Sequence, residues 1–139
     1  TQGISASRWM LNWLAAGNRL ITDRVNRQLM GSYGYQFPIT SYNEKLPVAR
    51  VFFSPRFGQN EARIVREGLI DYMVVDYRLS TSLPSAGVYF ETGEPSINSG
   101  TEPIKLPWLQ KFDRVKGMSR IFDNGNIVIY DVRNLVSQP

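Results

Sequence analysis

Apolar positions at Trp9, Met10, Trp13 and Leu14 fall at the i, i+1, i+4, i+5 spacing of one helix face. Ser5 or Ser7 offers a cap ahead of that helix, and Gly17 offers a stop behind it. Arg19-Leu20-Ile21-Thr22 then reads as a short strand, with Asp23 placed where a following helix wants its N-cap. Val25, Leu29 and Met30 form the apolar stripe of that second helix, which Gly31 should end. Strand, turn and helix follow one another almost without spacer, as they do in α/β units.

From Ser32 to Pro47 the chain reads as a loop of aromatic, Gly and Pro residues. Ala49-Arg50-Val51-Phe52-Phe53 reads as a strand broken by Ser54-Pro55. Gln59 or Asn60 opens a third helix with Ala62, Val65 and Leu69 facing inward and Gly68 at its end. Tyr72-Met73-Val74-Val75 is a nearly continuous apolar strand, as expected where both faces of a sheet are covered, and Asp76 closes it. A short strand at Val88-Tyr89-Phe90 precedes a second loop, Glu91 to Lys105, and Pro107 starts a short helix through Trp108, Leu109 and Phe112. Ser119 to Phe122 and Ile127 to Val132 flank Asp123-Asn124-Gly125-Asn126, a β-hairpin whose Asn-Gly suits a type I′ turn.

Strands alternating with helices in the first half and a hairpin in the second predict one α/β domain over 1–139. Its sheet should be small and mixed, parallel in the first half, with flanking helices and a C-terminal antiparallel hairpin. A length of 139 residues suffices for one continuous core. The start at Thr1-Gln2-Gly3, without an initiator Met, reads as a fragment or processed product of a longer protein.

Composition narrows the chemistry. The net charge is +4, from 12 Arg and 4 Lys scattered between Arg8 and Arg133 without a run of three, so no nucleic-acid partner is expected. The absence of Cys removes disulfides and thiolate chemistry. The absence of His removes a Ser-His-Asp triad and an imidazole base, and neither metal ligation nor a cofactor is expected. An enzyme built on this chain would have to work through carboxylates, Lys, Tyr or a bound cofactor.

Asp23 and Asp76 each end a core strand, and ligands of open parallel sheets bind beyond the carboxyl ends of strands. With Arg24, Tyr77 and Arg78 they would line a crevice suited to a sugar or sugar phosphate; the plainer alternative makes Asp23 a helix cap and Asp76 an Arg partner. The i, i+3 pairs Arg24/Arg27 and Arg63/Arg66 suit phosphate but more often form a solvated face. Glu91 and Glu94, a carboxylate pair in a flexible segment, are poorly placed for glycoside hydrolysis. Trp9 and Trp13 are expected in the core, and the Tyr33 to Tyr42 aromatics at a contact surface.

Three stretches carry a resemblance: Arg19-Leu20-Ile21-Thr22-Asp23-Arg24-Val25-Asn26-Arg27, Tyr72-Met73-Val74-Val75-Asp76-Tyr77-Arg78-Leu79-Ser80, and the closing hairpin ending Ile129-Tyr130-Asp131-Val132. The chain resembles the soluble extracytoplasmic C-terminal domains of polytopic bacterial membrane proteins, the group that includes glycosyltransferases of the GT-C, mannosyltransferase-like kind. The resemblance implies a non-catalytic accessory or binding role on the outer side of a bacterial cell membrane. Its implied partners are the transmembrane part of a parent chain and a glycan or lipid-linked sugar, and it supplies no catalytic residue, since transfer chemistry there belongs to acidic residues on membrane-domain loops. The alternative is a stand-alone carboxylate-dependent enzyme or small-molecule-binding module acting on sugars or phosphates.

Overall fold

The computed structural model describes residues 1–82, 90 and 103–136. Helix α1 (Gln2–Leu14), strand β1 (Arg19–Ile21), α2 (Arg24–Gly34), β2 (Phe37–Pro38), α3 (Ala49–Phe53), α4 (Gln59–Glu67) and β3 (Tyr72–Asp76) make the first half. Helix α5 (Leu106–Gln110), strands β4 (Ser119–Asp123) and β5 (Ile127–Asp131), and α6 (Arg133–Val136) follow. Short 3-10 turns occupy Tyr77–Ser80 and Lys111–Arg114.

The five strands form one sheet in the order β2-β1-β3-β5-β4. β1 runs parallel to both β2 and β3. β5 pairs antiparallel with β3 and with β4, so the hairpin completes a mixed α/β sheet of the predicted kind. Side chains alternate across β3, and that alternation divides the core. Tyr72 and Val74 face α1 and α2 in a cluster with Ala6, Met10, Leu20, Met30 and Ile129. Met73 and Val75 face the other way, into a larger cluster with Phe52, Val65, Phe112, Val128 and Tyr130. All of β3 is buried, which explains its unbroken apolar sequence.

Helices α1 and α2 lie side by side and run the same way. A Cβ on Gly3 would meet Leu29 and Asn26, while one on Gly34 would stand 3.1 Å from the carbonyl oxygen of Ser7. Small residues at both ends of the seam let the two backbones approach.

Several elements depart from the sequence pattern. Helix α1 is capped by Thr1, whose hydroxyl accepts from the Ile4 amide, whereas the buried Ser7 donates to the Gly3 carbonyl. Trp13 is 73% exposed, because Met10 and Ala6 already fill the inward face. In α2 the inward positions are Asn26, Met30 and Gly34, and Val25 is exposed. That helix runs through Gly31 to Gly34 and closes on Tyr35 in the left-handed region, φ 51°. Phe37–Pro38 is a strand within the expected loop, and Pro is tolerated there because β2 is an edge strand. Ala49–Phe53 is a helix rather than a strand; its four apolar residues are all buried, and an unbroken apolar run does not distinguish the two states. Leu69 adopts φ 50° just past the end of α4 and is exposed, leaving the core place to Ile70. At the hairpin only Gly125 has positive φ, the sign pattern of a type II′ rather than a type I′ turn, and the Asn124 side chain accepts from the Ile127 amide. Val88 and Tyr89, and the Glu91 to Glu94 pair, lie outside the described residues.

Candidate functional site

The parallel pairing of β1 with β3 sets Ile21 beside Met73, so the chain leaving β1 lies beside the end of β3. Thr22 fastens the two strands by donating to the Val74 carbonyl at 2.8 Å. Asp23 caps α2 as the sequence predicts, its Oδ2 accepting from the Asn26 amide at 3.2 Å. The Asn26 side chain then bridges the strand ends. Its Nδ2 donates to Oδ1 of Asp23 at 2.8 Å and to Oδ2 of Asp76 at 2.9 Å. Arg78 closes the group with a two-pronged grip on Asp76, Nε to Oδ1 at 2.9 Å and Nη2 to Oδ2 at 2.7 Å, and its amide donates to the same Oδ1.

Asp23, Asn26 and Asp76 are all buried. Burial pushes the Asp23 carboxyl up, the Asn26 hydrogen bonds offset part of this, and the nearby Asp76 charge adds to it. The hydrogen bond to Asp76 holds the Arg78 guanidinium above its ordinary range. Of the two carboxylates, only Asp76 has a guanidinium against it. Asn26 Oδ1 is buried and without a hydrogen-bond partner, and a Cβ on Gly3 would stand 3.1 Å from it. The opposite orientation of the amide would aim that oxygen at two carboxylates, so the arrangement keeps the donors where the negative charge is.

Of the five predicted site residues, Asp23, Asp76 and Arg78 come together. Arg24 is partly exposed at the first position of α2 and makes no hydrogen bond or ion pair with another described residue. Tyr77 points to the other face of the sheet, as the alternation of β3 dictates for the residue after Asp76. Its hydroxyl accepts from Arg120 Nη2 at 3.0 Å.

Tyr77 there joins a second polar group that the sequence does not announce. Arg120 bonds both oxygens of Asp113, at 2.8 and 2.7 Å, and reaches Asp123 with Nη1. The Tyr130 hydroxyl donates to Asp113 Oδ1 at 2.7 Å. Burial would raise the Asp113 carboxyl, but the Arg120 and Tyr130 hydrogen bonds win and hold it below the usual range. The one local signal is that Arg120 and Tyr130 are cross-strand partners in the hairpin.

Lys111 is buried as well. Its Nζ donates to the Phe52 carbonyl at 3.1 Å and lies 4.4 Å from the Phe112 ring centre. Burial pushes it down to about 7, with Glu61 offsetting part of the effect. Two further charged residues are engaged structurally: Arg66 donates to the Leu135 carbonyl, and Asp131 is held by Arg133.

What this chemistry amounts to is fastening. Each carboxylate in both polar groups is engaged by a guanidinium or by Asn, Thr or Tyr donors of the same chain. No group of three or more His, Cys, Asp or Glu residues able to hold a metal occurs among the described residues.

No protein-family model and no curated protein matches the sequence. Among solved structures, the chain is similar to the C-terminal globular domain of an oligosaccharyltransferase from Archaeoglobus fulgidus. The TM-score is 0.56 over 94% of this chain and 94% of that one, at 10% identity. At that identity the likeness is one of fold, and it runs nearly from end to end of both chains. It agrees in kind with the resemblance seen in the sequence, a C-terminal globular domain of a glycan-transferring protein, and differs in source, archaeal rather than bacterial.

Proposed function

We propose that this chain is a non-catalytic, extracytoplasmic accessory domain of a membrane-bound glycosyl-transferring protein. The observation that carries the reading is the end-to-end fold likeness to the C-terminal globular domain of an oligosaccharyltransferase. The strand-end group supports it from a second direction. A working acid or base needs a carboxylate available to substrate, whereas Asp76 is buried under Arg78 and Asp23 is bound to Asn26. The partners of such a domain are the membrane-spanning part of its parent and a glycan or lipid-linked sugar. No helix of the described residues is long and apolar enough to cross a membrane, so anchorage would come from elsewhere in that parent.

Fractionation of the native source with an antibody against this chain tests the reading. The domain should sediment with membranes, resist release by high salt, and be cleaved by protease added to intact cells from which the wall has been removed. Recovery in the soluble fraction, protected from external protease, would defeat it.

A ligand role for Asp23, Arg24, Asp76, Tyr77 and Arg78 rests on one further feature, the partly exposed Arg78 side chain at the rim. Arg78→Gln should then abolish saturable thermal stabilisation by sugar phosphates; absence of any such stabilisation in the unaltered chain removes this role.

A further inference from the structure

Two asymmetries of the surface coincide on one layer of the molecule. Four of the eight large hydrophobic residues exposed among the described residues, Trp13, Val25, Tyr33 and Tyr35, lie in or directly after helices α1 and α2. Helix α1 and helix α2 with its cap also hold Arg8, Arg24 and Arg27 against Asp23 alone, a net +2 out of the whole chain's +4. The single acid among them is buried, so it presents little charge to the outside.

Local structure gathers the aromatics. Gly17 donates to the Tyr35 carbonyl, and Gln36 donates to the Ala15 carbonyl, which ties the C-terminal ends of α1 and α2 together. Trp13 and Tyr35, 73% and 65% exposed, therefore stand at one rim. The Arg8 guanidinium lies over the Tyr33 ring at 5.9 Å and that of Arg19 over Phe37 at 5.7 Å. Arg19 and Phe37 share the opposite sheet face with Ile21, and Arg19 is paired with Glu44, so the cation beside the rings of this layer is Arg8.

We propose that this α1/α2 layer docks on an anionic membrane surface, with Trp13, Tyr33 and Tyr35 entering the headgroup region and the arginines facing lipid phosphates. Trp and Tyr place an apolar ring and a polar edge at that depth, and basic residues gain from the negative surface potential. A protein partner would need matching acidic side chains at each arginine, whereas a lipid surface supplies mobile negative charge to all of them. The claim goes beyond the proposed function and concerns this chain's own surface, whether or not it is joined to membrane spans.

The test is flotation of the 139-residue chain with vesicles of phosphatidylcholine alone or of phosphatidylcholine and phosphatidylglycerol at roughly three to one. The chain should float with the anionic vesicles only, and high salt should release it. Arg8→Gln should weaken binding about fivefold. Trp13→Ser and Tyr33→Ser should each weaken it further, while Leu106→Ser, exposed outside this layer, should leave it unchanged. Failure to float with anionic vesicles, undiminished binding by the Trp13 and Tyr33 variants, or equal binding to soluble dextran sulfate without dependence on Trp13 would each overturn the proposal. Thermal melts of both exposed-site variants should match the parent, which separates lost binding from lost fold.

Discussion

Asn26 and Asp76, fifty positions apart in sequence, are joined by a 2.9 Å hydrogen bond that ties the first turn of α2 to the end of β3. The bond matters because both groups are buried, so neither can turn to water if the other is removed. Asn26→Leu would leave two carboxylates without their shared donor. It should lower stability by about 2–3 kcal/mol, measured by urea unfolding. A change within about 0.5 kcal/mol would mean that the bridge carries no weight.

Asp23 sets the pH behaviour of the same group. Its carboxyl is raised above the ordinary 3.8, so the folded state holds its proton more tightly than the unfolded state. That contribution is fully present below the unfolded value and is lost as pH rises through the folded one. Asp23→Asn keeps a capping side chain and removes the buried charge. The variant should therefore gain on the parent as pH rises from about 4 toward neutrality. A stability difference between variant and parent that stays constant over this range would contradict the assignment. Asp23→Ala, which removes the cap altogether, should cost about 1–2 kcal/mol.

Lys111 should show the reverse slope at higher pH. Its folded value of about 7 lies below the ordinary 10.5, so the unfolded chain binds more protons between these limits. Stability attributable to Lys111 should rise through that window, by up to about 1.4 kcal/mol per pH unit. Lys111→Met fills the same space without a charge, and it should flatten the rise and stabilise the protein at neutral pH. The comparison is made on the difference between the two proteins, in which titrations common to both cancel.

At Gly34 helix α2 comes close to the backbone of α1. A Cβ there would stand 3.1 Å from a backbone oxygen, Ser7 O, which cannot swing aside as a side chain could. Gly34→Ala should destabilise by about 1–2 kcal/mol despite the better helix propensity of Ala. Gly31→Ala, with open space around its Cβ, should be neutral or slightly stabilising, and thermal melts of the pair give the contrast.

Much of the sheet was legible because its signals are local. The Asp23 cap, the fully apolar β3 and the Asn-Gly hairpin each declare themselves within a few residues. Ala49–Phe53 was not legible, since four apolar residues around Arg50 fit either a buried strand or a buried helix turn. The type II′ sign pattern depends on which residue takes the first central position, and the register that pairs Asp123 with Val128 puts Gly125 there. At the site, Asp23, Asp76 and Arg78 could be paired from strand ends alone. Asn26 escaped notice because a polar residue inside an amphipathic helix reads as solvent-facing, whereas here it occupies the inward stripe with Met30 and Gly34. Tyr77 was misplaced for a simpler reason, that adjacent residues leaving a strand face opposite sides. The Asp113–Arg120–Tyr130 group needs the fold itself, because a 3-10 turn and both hairpin strands contribute to it.

The most direct test of the accessory, non-catalytic role is glycan transfer by native membranes carrying the complete parent protein. Removal of this chain should abolish or strongly reduce transfer, whereas Asp76→Asn, which disarms the strand-end carboxylate, should leave it near the unaltered level. Full transfer without the chain, or turnover of a glycan donor by the isolated polypeptide that Asp76→Asn abolishes, would contradict the account.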